Sequence, residues 1–163
     1  MFRTTLLISL CLAAPLLGAQ PDVRVEPAHL QGPRPLADQT ATAVIHNYIE
    51  SWKSLRAALD QNRPELLDRD FVGGARDKLA ATIRQQARLG LRTSYQDRSH
   101  DLQIVFYSPE GLSVELTDNV KCDVEVRDGD KVIASQPVTE RYIVVLTPTE
   151  TRWRVRVLQA SPQ

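Results

Sequence analysis

The sequence predicts an α+β fold in which N-terminal helices pack on one face of a curved four-stranded antiparallel sheet. Two observations predict it. Hydrophobic residues recur at three- and four-residue steps through the first half of the chain, then at two-residue steps from about Arg98 onward. Each predicted strand also keeps one polar face, so the sheet is covered on one side only and the helices must supply that cover.

Residues 1–19 read as a cleavable signal peptide. Met1-Phe2-Arg3 carries a positive charge, Thr4 to Leu17 holds no charged residue, and Leu17-Gly18-Ala19 places small residues before a cut at Gln20. The apolar run is shorter than the roughly 20 residues of a spanning helix, so no stable membrane span is expected after cleavage. The expected location is therefore outside the cytoplasm, periplasmic or secreted. Cys11 does not read as a lipidation site, because bulky Leu10 precedes it and the apolar run continues to Leu17. Cleavage leaves Cys122 alone, without a partner for an intrachain disulfide, and its apolar neighbours predict a buried, inert thiol.

Residues 20–37, with Pro21, Pro27, Pro33 and Pro35 and no hydrophobic period, read as a proline-rich linker. The folded domain is then residues 38–163. Its first element is a long amphipathic helix from Asp38 to about Asn62, capped by Asp38 or Thr40. Ala41, Val44, Ile45, Tyr48, Ile49, Trp52, Leu55 and Leu59 form its apolar stripe. Pro64 suits the start of a short helix over Glu65–Arg69. Gly73-Gly74 breaks that helix, and a third follows from Ala75 to Leu89 with Leu79, Ile83 and Ala87 on one face. Gly90 ends it.

Leu102, Ile104 and Phe106 begin the strand pattern. A turn at Pro109-Glu110-Gly111 precedes Leu112, Val114, Leu116, Val120, Cys122, Val124 and Val126, all of one parity and so on one face. Asp128-Gly129-Asp130 signals a hairpin. Lys131–Leu146 forms the third strand, with a bulge expected at Pro137. In the last strand Trp153, Val155 and Val157 alternate with Arg152, Arg154 and Arg156. That arginine row is expected to pair across the sheet with Glu115, Asp123 or Glu125, or to stay solvated. The hairpin leaves the register open. A two-residue turn places Arg141 inward, whereas a three-residue turn places Glu140 and Tyr142 inward.

The run Ala43-Val44-Ile45-His46-Asn47-Tyr48-Ile49-Glu50-Ser51-Trp52, the hairpin Asp128-Gly129-Asp130-Lys131-Val132, and the ending Glu140-Arg141-Tyr142-Ile143-Val144-Val145-Leu146 with Arg152-Trp153-Arg154-Val155 resemble the nuclear-transport-factor-2-like superfamily. The resemblance spans roughly residues 40–160 and looks closest to the superfamily's non-enzymatic branches. It implies a cone-shaped α+β fold enclosing a pocket. No catalytic residue is carried over from its enzymatic branches, and a fold of this kind does not fix function.

Composition limits the function classes. The 163 residues hold 20 Lys+Arg and 20 Asp+Glu, a balance that argues against a nucleic-acid partner. A phosphate-binding glycine loop, a nucleophile elbow and metal-ligand spacing are all absent from the sequence, so no cofactor, metal or catalytic residue is assigned. Polar residues in phase with apolar faces are the candidate ligand-binding set: Tyr48, Trp52, His100, Asp118, Glu140 and Tyr142. The bland reading makes Tyr48 and Trp52 core packing, and Asp118-Asn119 a bend or bulge. The expected function is an exported module that binds a small apolar ligand or a protein partner, including a second copy through the sheet. The alternative is a small cofactor-free acid–base enzyme, isomerase or dehydratase-like. It requires His100, Asp118 and Tyr142 to converge on one cavity.

Overall fold

The structure is a computed structural model, and it describes residues 20–161. The signal-peptide reading of residues 1–19 lies outside the described residues. Among the described residues 20–161 no helix is long and apolar enough to cross a membrane.

Helix α1 spans Asp38–Gln61 and buries Val44, Tyr48, Trp52, Leu55 and Leu59, as the apolar stripe requires. Its N-cap is Ala37, which offers no side-chain hydrogen bond, so neither Asp38 nor Thr40 caps it. Asp38 instead lies in the first turn, where a carboxylate complements the helix dipole. Asn62 ends the helix in the left-handed conformation at φ 55°, and its side-chain amide donates to the Leu91 carbonyl at 2.8 Å. The short helix is a single 3₁₀ turn over Pro64–Leu67, shorter than expected. Gly73-Gly74 opens α2 (Gly73–Arg88) instead of separating two elements. The buried face of α2 is Ala75, Ala80, Ile83 and Gln86, while Ala87 is exposed.

The sheet has five strands in the order β1 (Asp22–Val25), β2 (Leu91–Tyr107), β3 (Val114–Asp128), β4 (Lys131–Pro148) and β5 (Trp153–Ser161). Strands β2 to β5 form an antiparallel meander, as expected. The additional strand comes from the proline-rich segment. β1 pairs in parallel with β2, from Asp22 opposite Ser99 to Val25 opposite Leu102. The segment continues along the same edge: Glu26, His29 and Gln31 donate backbone N–H groups to Leu102, Ile104 and Val105. Arg34 stacks over Tyr107 at 4.9 Å and donates to the Pro109 carbonyl. These docked residues replace the free spacer expected there. A proline-rich chain favours extended backbone, which also suits an edge strand whose other side faces solvent.

Bulges curve the sheet and set which residues face the helices. In β2, Asp97 pairs with Cys122 and Ser99 with Lys121, leaving Arg98 as an extra residue. Asp97 and His100 therefore share the inner face despite opposite parity. In the hairpin, Asp128 pairs with Lys131 across a two-residue Gly129-Asp130 turn, Arg127 with Val132, and Val126 with Ala134. The turn alone would pair even with odd positions. Ile133 is the extra residue that restores even-with-even pairing, so Asp118 meets Tyr142 and Val120 meets Glu140. The bulge is at Ile133 and not at Pro137. Pro137 sits opposite Asp123, beyond the reach of the β5 pairing that starts at Arg141, and so occupies an edge. In β5, Arg156 is the extra residue, which turns Leu158 toward the core and leaves Val157 exposed.

The core fills the space between α1, α2 and the inner face of the sheet. Leu67, Phe71, Ile83, Leu102, Leu116, Val144 and Leu146 are buried within it. The arginine row of β5 faces neither Glu115, Asp123 nor Glu125. Arg152 donates to buried Asp70 at 2.5 Å, and Arg154 donates to the Asp68 and Phe71 carbonyls. Asp123 is bound instead by Arg98, through contacts of 2.6 and 2.7 Å, and Glu125 by Arg127.

Candidate functional site

A chain of buried polar groups crosses the core. The Tyr48 hydroxyl of α1 donates to Asp118 Oδ2 of β3 at 2.8 Å, and His100 Nδ1 of β2 meets the same oxygen at 2.7 Å. His100 Nε2 lies 3.6 Å from Asp97 Oδ2, which also accepts a 2.7 Å hydrogen bond from Arg56 Nη1. Tyr48, His100 and Asp118 have no solvent exposure. The Trp52 ring covers His100 at 5.2 Å and meets Tyr142 edge-on at 5.6 Å.

The electrostatics follow from this arrangement. Burial alone would lower the His100 pKa, but the hydrogen bond to Asp118 and the nearby Asp97 carboxylate, with the charges of both, raise it to about 9. His100 is thus an imidazolium clasped by two carboxylates at neutral pH. Burial pushes the Asp118 carboxyl above its ordinary range, opposed by hydrogen bonds from His100 and Tyr48. Burial and the neighbouring Asp118 charge hold Tyr48 protonated well above its usual pKa. Burial does the same for Tyr142. It also raises the Cys122 thiol to about 11, and that residue is buried as expected.

The network stands at the back of a cleft of about 540 Å³ between α1, β1 and β2. Ile49, Trp52, Ala57, Tyr95 and Val23 give it apolar walls, and Asp97 and His100 line it as well. Lys53, Arg56 and Asp60 bring charge to the same cleft. Four buried atoms around His100 have no hydrogen-bond partner: Trp52 Nε1, Asp97 Oδ1, His100 Nε2 and Asp118 Oδ1. Trp52 Nε1 lies close enough to the Tyr48 hydroxyl to favour its phenolate, though outside hydrogen-bonding geometry. A second cavity of about 520 Å³ lies further toward the start of α1, between Ile45, Val25 and Ile104.

Five of the six candidates lie in one neighbourhood. Tyr48, His100 and Asp118 are bonded together, with Trp52 and Tyr142 packed beside them. Asp118 is a regular ladder position between Leu102 and Tyr142, not a bend or bulge. Tyr142 faces inward, yet it meets Trp52 edge-on and makes no hydrogen bond to the His100–Asp118 pair. Tyr48 is the tyrosine that does. Glu140 lies beyond Tyr142, opposite Val120, half-buried and without a side-chain hydrogen bond or ion pair. Asp97 and Arg56 belong to the network and were not among the candidates. Among the described residues no group of three or more His, Cys, Asp or Glu side chains is placed to hold a metal ion.

The helices on one face of a curved, mostly antiparallel sheet make a fold met in other proteins. Solved structures share it. The intermembrane-space region of the chloroplast protein ARC6 superposes with TM-score 0.63 at 15% identity, over 80% of this chain and 100% of that one. A candidate scytalone dehydratase from Novosphingobium aromaticivorans gives TM-score 0.52 at 13% identity, over 77% of this chain and 89% of its own. A protein from Kribbella flavida gives 0.52 at 11%, over 74% and 91%. Identities this low establish the fold alone. No family model matches the sequence, and no curated protein matches it.

Proposed function

We propose that this protein is an exported ligand-binding module of the non-enzymatic kind, holding a small apolar molecule in the cleft between α1, β1 and β2. The observation that carries the reading is the cleft's construction. It has the volume of a small-molecule site, apolar walls, and buried polar residues at its back with unpartnered atoms, Asp97 Oδ1 and His100 Nε2. The signal-like leader at residues 1–19 supports export. The test is titration with Nile red, a neutral apolar dye. Its fluorescence is expected to rise with the wild-type protein and to stay at baseline with Ala57→Trp, which fills the cleft from its wall. Equal fluorescence from both proteins rejects the cleft as the site.

One observation favours an acid–base enzyme, the bonded chain Tyr48–Asp118–His100, and a fold relative is described as a candidate dehydratase. Proton transfer calls for a group that titrates near the working pH. His100 is held near 9, both tyrosines titrate higher, and the Asp118 carboxyl, though raised by burial, has its Oδ2 occupied by Tyr48 and His100, so binding is the better-supported reading.

A further inference from the structure

The back wall of the cleft, taken with Asp118 behind it, is balanced in charge. Arg56 and His100 supply two cations, and Asp97 and Asp118 two anions, all bonded or in ion-pair contact with one another. Closer to solvent the cleft adds Lys53, which is tied to Glu50, and Asp60. Within this balanced wall two side chains, each with about 1% exposure, keep one atom unpartnered: Asp97 Oδ1, an acceptor, and His100 Nε2, a donor. The two residues approach within 3.6 Å through Nε2 and Asp97 Oδ2, beyond hydrogen-bonding distance.

We propose that the cleft selects an uncharged apolar molecule bearing a hydroxyl group, and discriminates against both carboxylates and amines of the same size and shape. The inference rests on the cleft being a ligand site. A hydroxyl both donates and accepts, so one group satisfies Asp97 Oδ1 and His100 Nε2 together. A carboxylate offers acceptors only: it satisfies His100 and leaves Asp97 facing a like charge. An ammonium offers donors only: it satisfies Asp97 and faces the Arg56 and His100 cations. At side chains as buried as Asp97 and His100 such a mismatch outweighs the single bond gained. Ile49, Trp52 and Tyr95 then cover the apolar body of the ligand.

Naphthylmethanol, naphthoate and naphthylmethylamine share one body and differ in charge at neutral pH, so they test this by calorimetric titration. Wild type is expected to bind the alcohol about tenfold or more tightly than either charged probe. Asp97→Asn leaves the wall with an excess cation and should move the preference to naphthoate. Arg56→Gln, at a side chain 27% exposed and so the gentler change, leaves an excess anion and should move it to the amine. Equal affinities for the three probes in wild type, or one unchanged order in wild type and Arg56→Gln, overturns the selectivity while leaving the cleft as a site. Failure of all three probes to bind wild type removes the cleft reading and this inference with it.

Discussion

Tyr48 and Asp118, seventy residues apart in sequence, meet through a 2.8 Å hydrogen bond that ties the middle of α1 to the first half of β3. The phenol supplies the only donor that α1 presents to this carboxylate, and His100 supplies the other from β2. Tyr48→Phe removes the hydroxyl and keeps the ring. It should cost about 1–3 kcal/mol in urea unfolding, because a buried carboxylate loses a partner. A loss below about 0.5 kcal/mol would mean that this bond adds nothing measurable to stability.

His100 gives stability a pH signature. Its pKa is about 9 in the fold, against an ordinary value of 6.5, so folding takes up a proton. The stabilisation is therefore complete below about pH 6.5 and is lost as pH rises through about 9. Denaturation midpoints of wild type should decline across that window. His100→Gln should lower stability at pH 6 and flatten the decline. An unchanged slope in His100→Gln would contradict the paired imidazolium.

Asp70 is a separate anchor. It is 1% exposed and accepts from Ser54, Arg69 and Arg152, joining α1 and the turn that leads into β5 to the segment before α2. Asp70→Ala strips these donors of their acceptor and should cost about 3 kcal/mol in the same unfolding assay, as for a broken buried pair. Asp123→Ala removes the exposed Arg98 pair on the outer face and should cost under about 1 kcal/mol. Equal costs would remove the distinction drawn from burial.

Local opening should begin at the N-terminal edge. β1 is four exposed residues held on one side only, whereas β3 is flanked along most of its length. Amide exchange of Glu26, His29 and Gln31 should precede that of Val120 and Cys122 by orders of magnitude. Matching rates would mean that the edge segment opens only with the whole domain.

Much of this architecture is legible in the sequence because burial imposes a period. The α1 stripe fixes Tyr48 and Trp52 inward, and the even run from Val114 to Cys122 fixes Asp118. What escapes is what breaks period. Asp97 is hidden by the Arg98 bulge, which shifts parity between it and His100, and β2 begins at Leu91, where Leu91 and Tyr95 are too few apolar residues to announce a strand. The Ile133 bulge cannot be read from the Asp128-Gly129-Asp130 turn, since a two-residue turn alone gives the opposite register. β1 escapes because its pairing is parallel and distant in sequence. Arg56 and Asp70 gain their meaning only from tertiary partners that no local pattern records.

The central claim is that the α1–β1–β2 cleft receives a ligand above the His100 network. Isotope-filtered NOE spectra of the labelled protein with unlabelled naphthylmethanol test it most directly. The account predicts contacts from the naphthalene protons to Ile49, Trp52, Ala57 and Tyr95. Contacts confined to Val25, Ile45 and Ile104 would place the ligand in the second cavity and contradict it.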